Sequence, residues 1–313
     1  MEFWHNQRIL ITGGTGFLGS AVTRQLKQYD NSTDVYSVGK HHGNLTNPEM
    51  IRRHLKIFNP TIVIHLAAVV GGIGANRDRP AEFFYQNALM GIQLIHECYV
   101  AKIPKMVVVG TICAYPKFTP VPFTETELWN GYPEETNAAY GLAKKMLLVQ
   151  AQAYRQQYGF NTIYLLPTNL YGPGDEFDPA SSHVIPALIR KCVQAKQAAD
   201  PFMTVWGDGT PTREFLYVDD AAEGILLATE HYNKPDPVNL GTGQETSIAA
   251  IMTMIADKIG YKGEVIYDTT KPNGQPRRCL NTDRAKNEFG FVAKTPLQVG
   301  LQKTIDWYLK HSL

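Results

Sequence analysis

Short apolar runs alternate with longer segments whose apolar residues return every three or four positions. Arg8-Ile9-Leu10-Ile11-Thr12 reads as a buried strand, and FLGSAVTRQLKQY after it repeats Leu18, Val22 and Leu26 on one helical face. DVYSV, PEMIRRHLKIFN, TIVIHLAA, FFYQNALMGIQLIHECYVA, KMVVVG, YGLAKKMLLVQAQAYRQQYG and NTIYLLP continue the alternation. Strands recurring between helices predict βαβ units, hence a parallel, doubly wound, Rossmann-like α/β sheet. The second half is less regular. YGPGDEFDPASSHVIPALIRKCVQA predicts a polar loop entering a helix, and WGDGTPTREFLYVDDAAEGILLATE a turn-rich piece, a strand and a helix. No internal repeat or low-complexity linker separates the two halves, so the tail reads as a smaller C-terminal lobe built onto the sheet.

Composition narrows the class. Lys plus Arg number 30 and Asp plus Glu 29, a formal charge of +1 over 313 residues. That balance carries no global footprint for nucleic acid or an anionic membrane surface. Cys98, Cys113, Cys192 and Cys279 are far apart and form no CxxC pair, which argues against a disulfide framework or a metal site and for a reducing compartment. The chain runs almost at once into its first strand without the pattern of a signal peptide, and no apolar run approaches the roughly 18 residues of a membrane span. A soluble cytoplasmic protein is expected.

The segment ITGGTGFLGSA sets Gly13, Gly16 and Gly19 in a GxxGxxG arrangement between a strand and a helix. Glycines there permit a tight turn and let a pyrophosphate meet the helix N-terminus, so the segment predicts a dinucleotide site. NAD would call for an acidic residue at the end of the second strand, to bind the ribose hydroxyls. DVYSV instead runs into GKHHGN, where Lys40, helped by His41 or His42, is placed to receive a 2′-phosphate. NADP(H) is expected, with NAD(H) left open. The division that follows is 1–170 with 214–245 for the dinucleotide-binding domain, and 171–213 with 246–313 for a substrate-binding lobe.

AAYGLAKKM puts Tyr140 and Lys144 four residues apart on one face of a helix. An ammonium beside a phenol favours the phenolate and tunes it for proton exchange. The hydroxyl of Thr111, where KMVVVG empties into TICAYP, completes a triad with them. Alone, a YxxxK pair is ordinary on an amphipathic helix. Behind a nucleotide loop it marks a catalytic helix. Cys113 sits two residues past Thr111, and a buried structural thiol is the plain alternative for it.

Together these motifs resemble the extended short-chain dehydrogenase/reductase family, the NAD-dependent epimerase/dehydratases. Within that family the chain resembles the bifunctional epimerase-reductases of GDP-linked 4-keto-6-deoxy sugars over nearly its whole length. VGGIGANRDRPAEFFYQN, CAYPK, LPTNLYGPGDEFDP, SSHVIPALIRK, WGDGTPTREFLYVDD and NLGTG carry that resemblance. It implies that Cys113 and His183 exchange protons at C3 and C5 of a 4-keto sugar, whose carbonyl acidifies both positions. It further implies that Thr111 and Tyr140 hold the C4 oxygen and that Lys144 holds the nicotinamide ribose. Parts of the glycine turn (Gly13, Gly14, Thr15, Gly16, Phe17, Leu18, Gly19), Thr111, Tyr140, Lys144, Pro167, Asn169, Leu170 and His183 would then face the cofactor. Lys191, Trp206, Arg213 and Arg278 would contact the GDP-sugar, the arginines as forked anion donors. A homodimer is implied as well, through the helix of Tyr140 and its neighbour.

The implied reaction is 3,5-epimerisation of GDP-4-keto-6-deoxy-D-mannose followed by NADPH-dependent reduction at C4. Ile112 and Cys113 stand where the related 4,6-dehydratases carry an Asp-Glu pair, so dehydration is the poorer reading. Thr15 stands where such epimerase-reductases can have arginine, Lys40 replaces a pair of arginines, and Thr111 replaces a common serine. A related GDP-keto-sugar 3,5-epimerase, with or without reduction, stays open, as does a non-catalytic dinucleotide-binding module.

Overall fold

The computed structural model describes residues 2–271 and 273–311. In chain order its elements are β1 (Arg8–Thr12), α1 (Phe17–Tyr29), β2 (Asp34–Val38), α2 (Pro48–Phe58), β3 (Ile62–His65), α3 (Ile73–Asp78), α4 (Pro80–Val100), β4 (Lys105–Val109), α5 (Ala138–Tyr158), β5 (Thr162–Pro167) and β6 (Asn169–Tyr171). They continue with α6 (Val184–Gln197), β7 (Phe202–Trp206), β8 (Thr212–Tyr217), α7 (Val218–His231), β9 (Val238–Leu240), β10 (Glu245–Ser247), α8 (Ile248–Ile259), β11 (Glu264–Asp268), β12 (Arg277–Arg278), α9 (Asp283–Phe289) and α10 (Leu297–His311).

Six parallel strands in the order β2-β1-β3-β4-β5-β9 form the central sheet. The inner strands β3, β4 and β5 are buried along their whole length, which is why they read as continuous apolar runs. One face packs on α1 and α7 through Val22, Leu26 and Ile225, with Phe291 after α9 in the same core; the other packs on α2, α4 and α5 through Ile51, Leu94 and Leu147. Local chemistry sets the helix ends. At α2, the Asn47 side chain accepts the Glu49 N–H, Pro48 opens the first turn, and Asn59 closes the last in the left-handed conformation. Parallel pairing brings the carboxyl ends of all six strands to one edge, and the order reverses between β1 and β3, where α/β sheets bind ligands.

A second core lies among α6, α8 and α10, with Ile189, Ile255 and Leu301 at its centre. β8 joins the two parts, pairing with β6 and β12 in parallel and with β10 antiparallel. Its Glu214 is wholly buried and accepts the backbone N–H groups of Thr242, Gly243 and Leu280, fastening the turn after β9 and the segment after β12 to one carboxylate. Among the described residues no helix is long and apolar enough to cross a membrane, and no cluster of His, Cys, Asp or Glu has metal-binding form.

Candidate active site

The glycine turn is sterically enforced. Gly13 adopts φ +72°, and a Cβ there would come within 2.7 Å of the Ala67 nitrogen at the exit of β3. On Gly14 a Cβ would meet Ser37 of β2, and on Gly19 it would overlap the Gly13 carbonyl. The turn is thus wedged between β2 and β3 with no room for side chains. Gly16 caps α1 without a side-chain bond, so the N–H groups of Phe17, Leu18 and Gly19 begin the helix with no acceptor inside it. A bare helix N-terminus behind a cradle only glycine can form fits the pyrophosphate of a dinucleotide. Thr15 packs against Gly39, next to Lys40, which is exposed on a short 3-10 turn. His42 is committed elsewhere, its Nδ1 accepting the Gly39 N–H at 2.9 Å, whereas Lys40 and His41 face solvent. Further along the same edge, Pro167 ends β5 and Asn169 and Leu170 open β6, with Asn169 donating to the Glu214 carbonyl at 2.9 Å.

Where β4 ends, Thr111 caps a single 3-10 turn, its hydroxyl accepting the Cys113 N–H at 3.2 Å. α5 presses directly on this turn, because a Cβ at Gly141 would overlap the Cys113 carbonyl. Gly141 therefore lets the neighbouring Tyr140 reach Thr111 and Cys113. From the other side Tyr164 fixes the helix by donating to the Lys144 carbonyl at 2.7 Å. Burial raises the Tyr140 phenol well above its ordinary value, negative charge at Cys113 adds to the effect, and Thr111 offsets part of it. In the ligand-free chain, loss of water is the largest influence on the phenol. Lys144 is 2% exposed and pushed down to about 8 by the same loss of water.

His183 comes from a different element, the N-terminus of α6. The loop before it is tied down by the Gly72 N–H, which donates to the Ser181 carbonyl at 3.0 Å. The residue is exposed at its edge, yet the protein around the ring desolvates it and lowers its pKa. No direct bond joins it to Cys113 among the described residues; a substrate between them is what the pair would share.

The cationic side is built from β8 and β12, whose register sets Arg213 opposite Arg278. Burial, then the neighbouring Arg278, lowers Arg213 to about 10, while charge at Cys113 and Glu134 works the other way. Arg278 is 8% exposed, and its Nη1 lies 3.6 Å from the Cys113 sulfur. Lys191 Nζ sits 5.7 Å from the centre of the exposed Trp206 ring, which Lys271 approaches to the same distance. The structure thus joins Thr111, Cys113, Tyr140, Arg213 and Arg278 in one cluster and pairs Lys191 with Trp206.

With that geometry established, the model of the NAD dependent epimerase/dehydratase family matches residues 9–241. The chain belongs to this family. Its relatives include a GDP-L-fucose synthase of Sinorhizobium fredii, 39% identical over 99% of this chain and 98% of that one. A GDP-L-colitose synthase of Yersinia pseudotuberculosis is 34% identical over 96% and 98% of the two chains. Among solved structures, a GDP-L-fucose synthetase of Naegleria fowleri bound to NADP superposes with a TM-score of 0.89 at 30% identity, covering 98% of this chain and 95% of that one.

Several residues that shape this epimerase-family site carry no sequence signal of their own. Asn87 clamps the loop after β3, accepting the Val69 N–H and donating to the Val69 carbonyl, both at 2.9 Å. His65, fully buried beneath the glycine turn, bonds the Thr12 hydroxyl at 2.7 Å and is kept neutral by burial and by the Lys144 charge. Gln275 holds the Arg278 guanidinium at 2.7 Å. Each looks like an ordinary polar residue until folding supplies its partner.

Proposed function

We propose that this chain converts GDP-4-keto-6-deoxy-D-mannose to GDP-L-fucose, by epimerisation at C3 and C5 and then reduction at C4. The observation that carries the reading is the convergence of Thr111, Cys113 and Tyr140 at the end of β4, on the same sheet edge as the glycine cradle. A sensor of dinucleotide would have no use for that set.

Bound in the cradle, NADPH supplies a hydride for C4. The chain's own groups do the rest. Cys113 removes a proton from C3 or C5, the C–H electron pair delocalises onto the C4 oxygen, and Thr111 and Tyr140 donate hydrogen bonds to that oxygen. His183 returns a proton to the opposite face, which inverts the centre. In the reduction Tyr140 gives its proton to the C4 oxygen, a role that suits a phenol kept protonated by burial. Lys144 holds the nicotinamide ribose and restores the charge balance beside the tyrosine. Lys40 takes the 2′-phosphate, Arg213 and Lys191 the diphosphate, and Trp206 the flat face of the ligand.

In this reading residues 1–170 and 214–245 serve the dinucleotide and 171–213 and 246–313 the sugar nucleotide, with Ala285, Phe289 and Phe291 returning to the core of the sheet. We take the enzyme to be a cytoplasmic homodimer. Its four free thiols suit a reducing compartment, and Tyr85, Val100 and Val149 leave large apolar surface exposed on α4 and α5. The GDP-L-colitose synthase relative supports a second reading, the same chemistry on a different GDP-linked 4-keto sugar. The test is NADPH oxidation with GDP-4-keto-6-deoxy-D-mannose, product identification and a parallel run with NADH. Oxidation that yields GDP-L-fucose supports the first reading. Oxidation only with another keto-sugar supports the second, and no turnover on any of them defeats both.

A further inference from the structure

Arg278 is joined to the loop of Cys113 rather than to open solvent. Its Nη1 faces the Cys113 sulfur at 3.6 Å, and its Nε donates to Gln275 Oε1 at 2.7 Å. Gln275, itself 7% exposed, donates in turn to the Lys117 carbonyl at 2.7 Å. Cys113 and Lys117 belong to one loop, so these bonds close a ring. The backbone repeats the fastening: Phe123 N–H donates to the Cys279 carbonyl at 2.7 Å, and Asn281 N–H to the Phe123 carbonyl at 2.9 Å. The adjacent Arg277 turns away to Glu245, and Arg213 reaches the carbonyls of Thr212 and Asn273, groups a ligand anion can displace. Of these three arginines, Arg278 alone is bonded to the sulfur.

We propose that Arg278, steadied by Gln275, positions the Cys113 sulfur for proton transfer in the epimerisation half-reaction, and is not primarily a contact for the substrate's phosphates. The proposal rests on the function proposed above. When the C3–H or C5–H bond breaks, its proton forms an S–H bond and its electron pair passes to the C4 oxygen. The form of Cys113 that accepts the proton is the thiolate, and a guanidinium against the sulfur both aims it and offsets its charge where substrate has displaced water.

The experiment compares wild type with Arg278→Met, Arg278→Lys and Gln275→Ala. It measures solvent deuterium entering C3 and C5 of GDP-4-keto-6-deoxy-D-mannose, NADPH binding by fluorescence, and iodoacetamide alkylation of the Cys113 peptide by mass spectrometry. For Arg278→Met we expect kcat for exchange to fall about 10- to 100-fold, as loss of a hydrogen bond to a charged group implies, with KM and NADPH binding little changed. Alkylation of Cys113 should slow in parallel. Arg278→Lys should recover part of both losses, and Gln275→Ala, which keeps the cation, should show a smaller loss of the same kind even if Arg278→Met does not fold. A raised KM with unchanged kcat makes Arg278 a substrate contact and overturns the proposal, as do unchanged rates throughout. Alkylation needs no sugar. If wild type exchanges no deuterium into this substrate, the functional reading fails while the thiol measurement still decides the role of Arg278.

Discussion

Asp175 lies in the loop that joins β6 to α6 and is 8% exposed. Its Oδ1 accepts the Glu176 N–H at 2.8 Å, and its Oδ2 is buried with no hydrogen-bond partner among the described residues. Desolvation, which the Glu176 N–H only partly offsets, raises its pKa from 3.8 to about 7. A folded-state pKa above the unfolded value means that the native state binds the proton more tightly. This contribution to stability is therefore complete below the unfolded pKa and is lost as pH rises through the folded one. Between the two, stability falls by about 1.4 kcal/mol per pH unit, or roughly 3 kcal/mol from about pH 5 to about pH 7. Asp175→Asn removes the titration and keeps an oxygen for the Glu176 N–H. It leaves an unpaired amide in place of the orphan oxygen, at a pH-independent cost of about 1–2 kcal/mol. Urea unfolding of the ligand-free protein across this range gives the difference between wild type and variant, in which every other titrating group cancels. The variant should gain on wild type steadily as pH rises. A difference that stays flat would refute the claim that Asp175 is buried against its charge.

Three further outcomes follow from the site. Tyr140→Phe should bind NADPH normally yet oxidise it about 100- to 10,000-fold more slowly with the keto-sugar; an undiminished rate removes Tyr140 as proton donor. Lys40→Ala should weaken NADPH about 10-fold and leave NADH unchanged in paired fluorescence titrations, and an equal shift for both would place the 2′-phosphate elsewhere. Gly19→Ala forces a Cβ into the Gly13 carbonyl and close to Gly14 Cα, so NADPH titration should show cofactor binding lost. Retained binding would mean that the turn relaxes more easily than its packing implies.

Much of this protein was legible in its sequence because local rules govern it. Short apolar runs such as KMVVV and TIYLL, rich in β-branched residues, read as strands buried on both faces, and the repeat of Leu18, Val22 and Leu26 reads as a helix with one apolar side. The glycine turn was readable for a steric reason, since no other residue fits between Ser37 and Ala67. Tyr140 and Lys144 share a helical face by spacing alone. Their proton affinities were not readable. Those depend on how much water the packed helix excludes, which raises the tyrosine and lowers the lysine.

What the sequence determined by itself was therefore the parallel sheet, the glycine turn and the positions of the residues proposed to move protons. Only the tertiary structure decided how those groups meet. Arg278 is 165 residues from Cys113 along the chain, and its two-residue strand exists because β8 offers it an edge. Glu214 gathers three backbone N–H groups from two separate segments through a carboxylate that a sequence shows only as one more acidic residue. Pairings over such distances leave no periodicity behind, because they are set by strand register and the exclusion of water, and neither exists until the chain has folded.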